Sequence, residues 1–128
     1  MRLLLDTHAF VWAVASPERL SSTASEAILS PRNQLYLSSA TAWELATKYR
    51  IGKLPQAKPI VDAFEALAAD LTASLLPISH DHAIRAGLMP GEHRDPFDRM
   101  LVAQAQIENL YLVTRDPAFG SFDVSVVW

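Results

Sequence analysis

The segment Arg2-Leu3-Leu4-Leu5-Asp6-Thr7-His8-Ala9-Phe10-Val11 changes its hydrophobic period in the middle. Leu3 to Leu5 is an unbroken apolar run, too apolar for a strand with one wet face, so it reads as a strand buried on both sides. Beyond Asp6 the apolar residues Phe10, Val11 and Val14 fall at helical spacing, and the pattern stops at Ser16-Pro17. A buried strand running straight into a helix is one half of a βαβ unit. An acid at the junction lands on the carboxyl edge of whatever sheet forms.

The same alternation continues outward. Helices are expected at Ser22–Leu29, ending before Pro31, and at Ser39–Tyr49, closed by Gly52. Strands are expected at Gln34–Leu37 and Leu75–Ile78. Between them Pro59–Leu71 carries Ile60, Val61, Phe64, Leu67, Ala68 and Leu71 as one apolar stripe, which reads as a packing helix or a partner surface. Ser79–Ala86 is read as a helix, Gly87–Arg94 as a loop, and Pro96–Glu108 as a long helix. Tyr111–Thr114 and Val124–Val127 complete the strands. Neither a repeat nor a linker interrupts this order. The expectation is one α/β domain over residues 1–128, a three-layer α/β/α arrangement around a mostly parallel sheet of four to five strands.

Composition narrows the chemistry. At 128 residues, with 50% hydrophobic and 20% charged, the chain has enough apolar surface for a packed core and does not read as disordered. It has no cysteine, which excludes disulfides, thiolate metal sites and cysteine nucleophiles. Eleven basic against fourteen acidic residues give a formal charge of −3, so bulk electrostatics would not hold a nucleic acid. Such contact would need a local basic patch, metal ions or a partner. Asp6 and His8 break the only segment resembling a signal peptide, and no run approaches the ~18 apolar residues of a membrane helix. A cytoplasmic protein without membrane association is expected.

Four carboxylates then stand out. Asp6 ends the first strand and Asp116 follows the Tyr111 strand, while Glu44 and Asp98 lie in the early turns of helices. In an open parallel sheet these positions share one crevice. Each has an ordinary explanation. Asp6 can cap the helix that starts at Thr7, and Asp116-Pro117 can start a turn. Glu44 and Lys48 have the spacing of a helical ion pair. Asp95 reads as a helix cap with Pro96 at the first helical position. That leaves Asp98 less well explained, since one cap suffices. Four separate caps would not need to share one sheet edge, whereas a divalent cation would gather them. An oxygen-only, cysteine-free donor set suits Mg²⁺ or Mn²⁺ and points to phosphodiester chemistry.

The order Asp6-Thr7, Ser38-Ser39 with Trp43-Glu44, then Asp98 opening an Ala-rich helix, and finally Thr114-Arg115-Asp116, resembles a PIN domain. The stretch His93-Arg94-Asp95-Pro96-Phe97-Asp98-Arg99, followed by Ala103-Gln104-Ala105, is similar to bacterial PIN toxins of the VapC type. The resemblance spans Leu3 to Trp128. It implies Mg²⁺- or Mn²⁺-dependent RNA cleavage with Asp6, Glu44, Asp98 and Asp116 as the acidic quartet. Asp6 and Asp98 would bind the principal ion, with Glu44 and Asp116 acting directly or through water. Thr114 matches a hydroxyl near the metal, and His8 stands where many relatives carry Asn or Ser. A cognate antitoxin and a homodimer are also implied.

Lys48, Arg50, Lys53, Arg94, Arg99 and Arg115 are the candidate phosphate contacts, the last two because each adjoins an acid of the quartet. Trp12 and Trp43 share helical spacing with apolar residues and read as core. His80 and His82 read as ordinary first-turn residues, and His93 as a loop residue near substrate. Two other readings are a non-catalytic PIN-like regulatory module and a housekeeping ribonuclease of the same fold. Phosphoacceptor signalling domains share the architecture but carry paired acids after the first strand and a late Lys. Here Asp6 stands alone and no Lys lies beyond Lys58.

Overall fold

The computed structural model describes all residues, Met1 to Trp128. Its five strands are β1 (Arg2–Leu5), β2 (Gln34–Ser38), β3 (Ala73–Leu76), β4 (Tyr111–Val113) and β5 (Val126–Val127), in the spatial order β3-β2-β1-β4-β5. Every pairing is parallel, with Leu3 opposite Leu35 on one side and Tyr111 on the other. The helices are α1 (Thr7–Ala15), α2 (Ser22–Leu29), α3 (Ser39–Arg50), α4 (Lys58–Asp62), α5 (Phe64–Asp70), α6 (His80–Leu88) and α7 (Pro96–Glu108). The chain moves outward from β1 to β3, then returns through α6 and α7 to lay β4 on the other side of β1. The strand order therefore reverses between β1 and β4, which opens a crevice at their carboxyl ends.

The period-2 geometry of β1 divides the interior. Leu3 and Leu5 point to one face with Phe10, Ala24, Leu45 and Ile60, under α1 to α5. Leu4 points to the other with Leu101, Val102 and Ala105 of α7. All three leucines are fully buried. Each contributes about 1.5–3 kcal/mol by leaving water. The central strand thus has no polar face, as its composition implied. No helix is long and apolar enough to cross a membrane.

Several boundaries differ from the sequence expectation. The Pro59–Leu71 stripe is two helices, α4 and α5, separated at Ala63, whose φ of −116° and ψ of 24° leave the helical region. The apolar pattern continues through the break, so periodicity could not reveal it. The third strand is Ala73–Leu76 and not Leu75–Ile78, because Pro77 has no N–H to donate to the ladder. The last strand shrinks to Val126–Val127. Trp43, expected in the core, is 55% exposed.

Candidate metal centre

Asp6 follows β1 and its amide donates to the Val113 carbonyl of β4 at 3.0 Å, so the switch point fixes its backbone. Its Oδ1 accepts the Ala9 N–H at 2.7 Å, capping α1. The ordinary explanation and the functional one therefore coincide: the cap locks one oxygen while the carboxylate stays at the crevice. Only 5% of Asp6 is exposed. Burial pushes its carboxyl above the ordinary range, against the pull of the Thr114 hydroxyl, the Ala9 amide and the charge of His8; the charge of Glu44 pushes further.

Glu44 comes from α3, whose start is set by Ser38, the hydroxyl of which accepts the Ala40 N–H at 2.9 Å. It is buried beside Thr7 and Thr41. The Thr7 hydroxyl donates to Glu44 Oε1 at 2.6 Å, and the Lys48 ammonium donates to Oε2 one turn on. Both oxygens are thus held. Partial burial pulls the Lys48 ammonium down, but the hydrogen bond and charge of Glu44, then the charges of Asp95 and Asp98, leave it above its ordinary value.

Asp98 lies in the first turn of α7, where Asp95 Oδ1 caps the helix by accepting the Phe97 and Asp98 amides at 2.9 and 3.1 Å. Asp95 thereby fixes the direction in which Asp98 leaves the helix. Asp98 Oδ2 meets His93 Nε2 at 2.8 Å. Burial, opposed by the His93 hydrogen bond and reinforced by the charges of Asp95 and Glu44, raises the Asp98 carboxyl to about 6. Trp43 and Phe97 pack edge-on, ring centres 4.8 Å apart, joining α3 to α7 next to Glu44 and Asp98. The exposed Trp43 is a strut for the site.

Glu44 lies near enough to act electrostatically on both Asp6 and Asp98. Asp116 sits farther out. It lines a small cavity with Asp6 and Arg115, but it is exposed and its Oδ1 caps the turn Pro117–Ser121 by accepting the Ala118 N–H at 2.9 Å. Thr114 is 1% exposed and links the two, since its hydroxyl accepts the Asp116 N–H at 3.0 Å.

No three acidic or imidazole side chains converge tightly enough to form a ready-made metal cage. Mg²⁺ does not require one, because it keeps several waters and takes one or two carboxylates. Asp6 and Asp98 each have one oxygen held by a named partner and retain capacity to accept more. All donors are oxygen, and burial works against the ionised form of both aspartates. The residues fit a hard divalent cation.

The basic candidates fare differently. Arg50, Lys53, Arg94 and Arg115 are exposed, and Lys48 is partly so. Arg99 is engaged with the backbone: its guanidinium donates to the carbonyls of Ala86 at 3.2 Å, His93 at 2.9 Å and also Met89, so it clamps the loop before α7. His82 is a core residue, accepting the Ser79 N–H at Nδ1 and meeting Glu108 through Nε2. The sequence did not signal Thr7 as the partner of Glu44, nor His93 as the partner of Asp98. Thr7 meets α3 only through folding. The five-residue spacing from His93 to Asp98 across a proline was the one available hint.

Comparison with known proteins agrees with this geometry. A family model described as PIN domain matches residues 3–124. Ribonuclease VapC22 of Mycobacterium tuberculosis is 32% identical over 116 residues, covering 89% of this chain and 86% of the relative. Among solved structures, VapBC2 from Rickettsia felis bound to a promoter DNA fragment superposes with a TM-score of 0.70 at 19% identity, covering 98% of this chain and 97% of that one. FitAB bound to a DNA fragment gives 0.64 at 22% identity, covering 97% and 92%. Sheet order, buried acids and sequence similarity over nearly the whole length lead to one assignment: the chain belongs to the PIN domain family.

Proposed function

We propose that the protein is a Mg²⁺- or Mn²⁺-dependent endoribonuclease, acting as the toxin of a toxin–antitoxin pair. The observation that carries the reading is the pair of buried acids Asp6 and Glu44 at the switch point with the half-buried Asp98 beside them, both aspartates being raised toward the neutral form. Similarity to a ribonuclease over most of both chains supports it.

In this reading Asp6 and Asp98 hold the ion, with Glu44 and Asp116 contributing directly or through water. When bound, a divalent ion supplies an activated water and neutralises charge on the attacked phosphate. The protein's own contribution is orientation. The Ala9 amide and His93 each fix one oxygen of an aspartate, leaving the other directed by a rigid element. Thr7 holds Glu44 in place, while Lys48 balances its charge and stands ready to meet substrate phosphate. No side chain at the crevice is a plausible nucleophile, so water attacks. A cognate antitoxin, a homodimer and a cytoplasmic location belong to the same proposal. The test is cleavage of a cellular RNA pool with Mg²⁺, with EDTA, and with Asp6→Asn or Asp98→Asn. Loss of activity in chelator and in both variants is expected. Full activity in EDTA, or wild-type rates in either variant, would refute the proposal. Growth arrest on expression, relieved by a protein encoded alongside, tests the toxin role.

A further inference from the structure

His8 and Trp12 line two adjoining cavities. On one side of α1 lies the small cavity of about 240 Å³ with Asp6, His8, Arg115 and Asp116. On the other lies a groove of about 600 Å³ carrying Arg19, Lys48, Lys53 and Leu54. The first contains acids of the metal centre. The second contains three cations and no acid among its lining residues. The two are continuous through His8 and Trp12, and Lys48 reaches from the groove to Glu44.

The indole also organises the cations. Arg19 places its guanidinium carbon 5.5 Å from the Trp12 ring centre, and Arg115 places its own at 5.9 Å. Trp128 backs the indole at 5.8 Å, and the exposed His8 ring lies 5.6 Å away. Trp12 is therefore not the core residue its spacing suggested. It is a half-exposed ledge holding an arginine over each cavity.

We propose that a single, unpaired RNA strand crosses this ledge. One phosphate sits at the acids, a neighbouring base lies against His8 and Trp12, and the next phosphates follow Arg19 and Lys53 along the groove. The inference rests on the ribonuclease reading and deepens it. A net charge of −3 cannot hold RNA in bulk, whereas Arg19 and Lys53 lead along a groove with no acid among its lining residues, away from the acids. An aromatic ledge flanked by cations is the general form of a single-strand track, because every base has a face to stack and a duplex hides it. Trp12 acts here as a positioning residue for the two arginines as well as a contact for the base.

The experiment compares wild type with Arg19→Glu, Lys53→Glu, the double variant, Trp12→Phe and Trp12→Ala in Mg²⁺, using an unstructured RNA oligonucleotide and a duplex of equal length. Arg32→Glu makes the same single-charge change before β2, at the opposite edge of the sheet, and serves as control. The double variant should raise KM about tenfold with kcat within about twofold, and reduce the slope of log KM against log salt by about 1.4, two single-strand contacts' worth. Trp12→Phe should retain most of the affinity and Trp12→Ala should lose it. Melting temperatures, measured alongside, separate these effects from unfolding. Unchanged KM and salt slope in the double variant, beside an active wild type, overturn the track while leaving the ribonuclease reading intact. So does equal affinity for duplex, or a double variant that loses only an acidic protein partner. Should wild type cleave nothing, the ribonuclease reading fails. Oligonucleotide binding by the same variants then decides the track by itself.

Discussion

Replacing Asp98 by Asn should make the metal-free protein more stable at neutral pH while destroying its proposed activity. The Asp98 carboxyl is raised to about 6 in the folded chain by burial first, against an ordinary value of 3.8. The folded state therefore binds this proton more tightly than the unfolded state does. Below about pH 4 both states are protonated and the group costs nothing. As pH rises from 4 through 6 the unfolded chain ionises freely while the folded one resists, so stability falls across that window. At ~1.4 kcal/mol per pH unit the ceiling is about 3 kcal/mol. The side chain is 18% exposed, and solvent screening reduces the figure. Asn also forfeits about 0.5 kcal/mol of favourable dipole interaction at the start of α7. A net gain of about 1 kcal/mol remains near pH 7.5, or about 3 °C in melting temperature for a domain of this size. The assay is thermal melting in EDTA at a series of pH values. The two curves should meet near pH 4, separate between pH 4 and 6 and run parallel above, and excess Mg²⁺ should reverse the order by stabilising wild type alone. A variant that melts lower at pH 7.5, or a difference independent of pH, would refute the reasoning.

Arg99→Lys should cost about 2–3 kcal/mol, because an ammonium cannot span the three carbonyls of Ala86, Met89 and His93 that the guanidinium joins. Limited proteolysis should then cut the chain between residues 87 and 94 faster than in wild type. Equal cleavage rates would show that the clamp does not order this loop. Thr7→Val keeps the shape but strips Glu44 Oε1 of its 2.6 Å donor, so destabilisation of about 1–3 kcal/mol is expected. Denaturant unfolding measures it, and a stability equal to wild type would mean that Glu44 finds another partner.

The fold was legible where one local signal sufficed. The run Leu3 to Leu5 identified a strand buried on both faces, and Asp95-Pro96 identified the start of α7. The places of Asp6 directly after β1 and of Asp98 in the first turn of α7 were legible too, because a change of period and a Pro after a capping Asp mark those junctions locally. What escaped was set by contacts distant in sequence. The break at Ala63 leaves the apolar stripe intact, and Trp43 shares its helical spacing with buried residues although its ring lies on Phe97 at the surface. Arg99 adjoins Asp98 in sequence, yet its side chain turns back toward α6. Adjacency along a helix says little about direction, since neighbouring residues project about 100° apart.

The place of β1 between β2 and β4 also decides when the site can exist. The first strand made is the middle one of the sheet, and its second neighbour comes from near the other end of the chain. Until α7 and β4 have emerged from the ribosome, Asp6 has no crevice to share and Asp98 is absent. A contact of such long sequence range is late and slow to form. The order of synthesis thus delays the proposed metal centre until α7 and β4 have both been made, so the acids stay apart for as long as the sheet lacks its fourth strand.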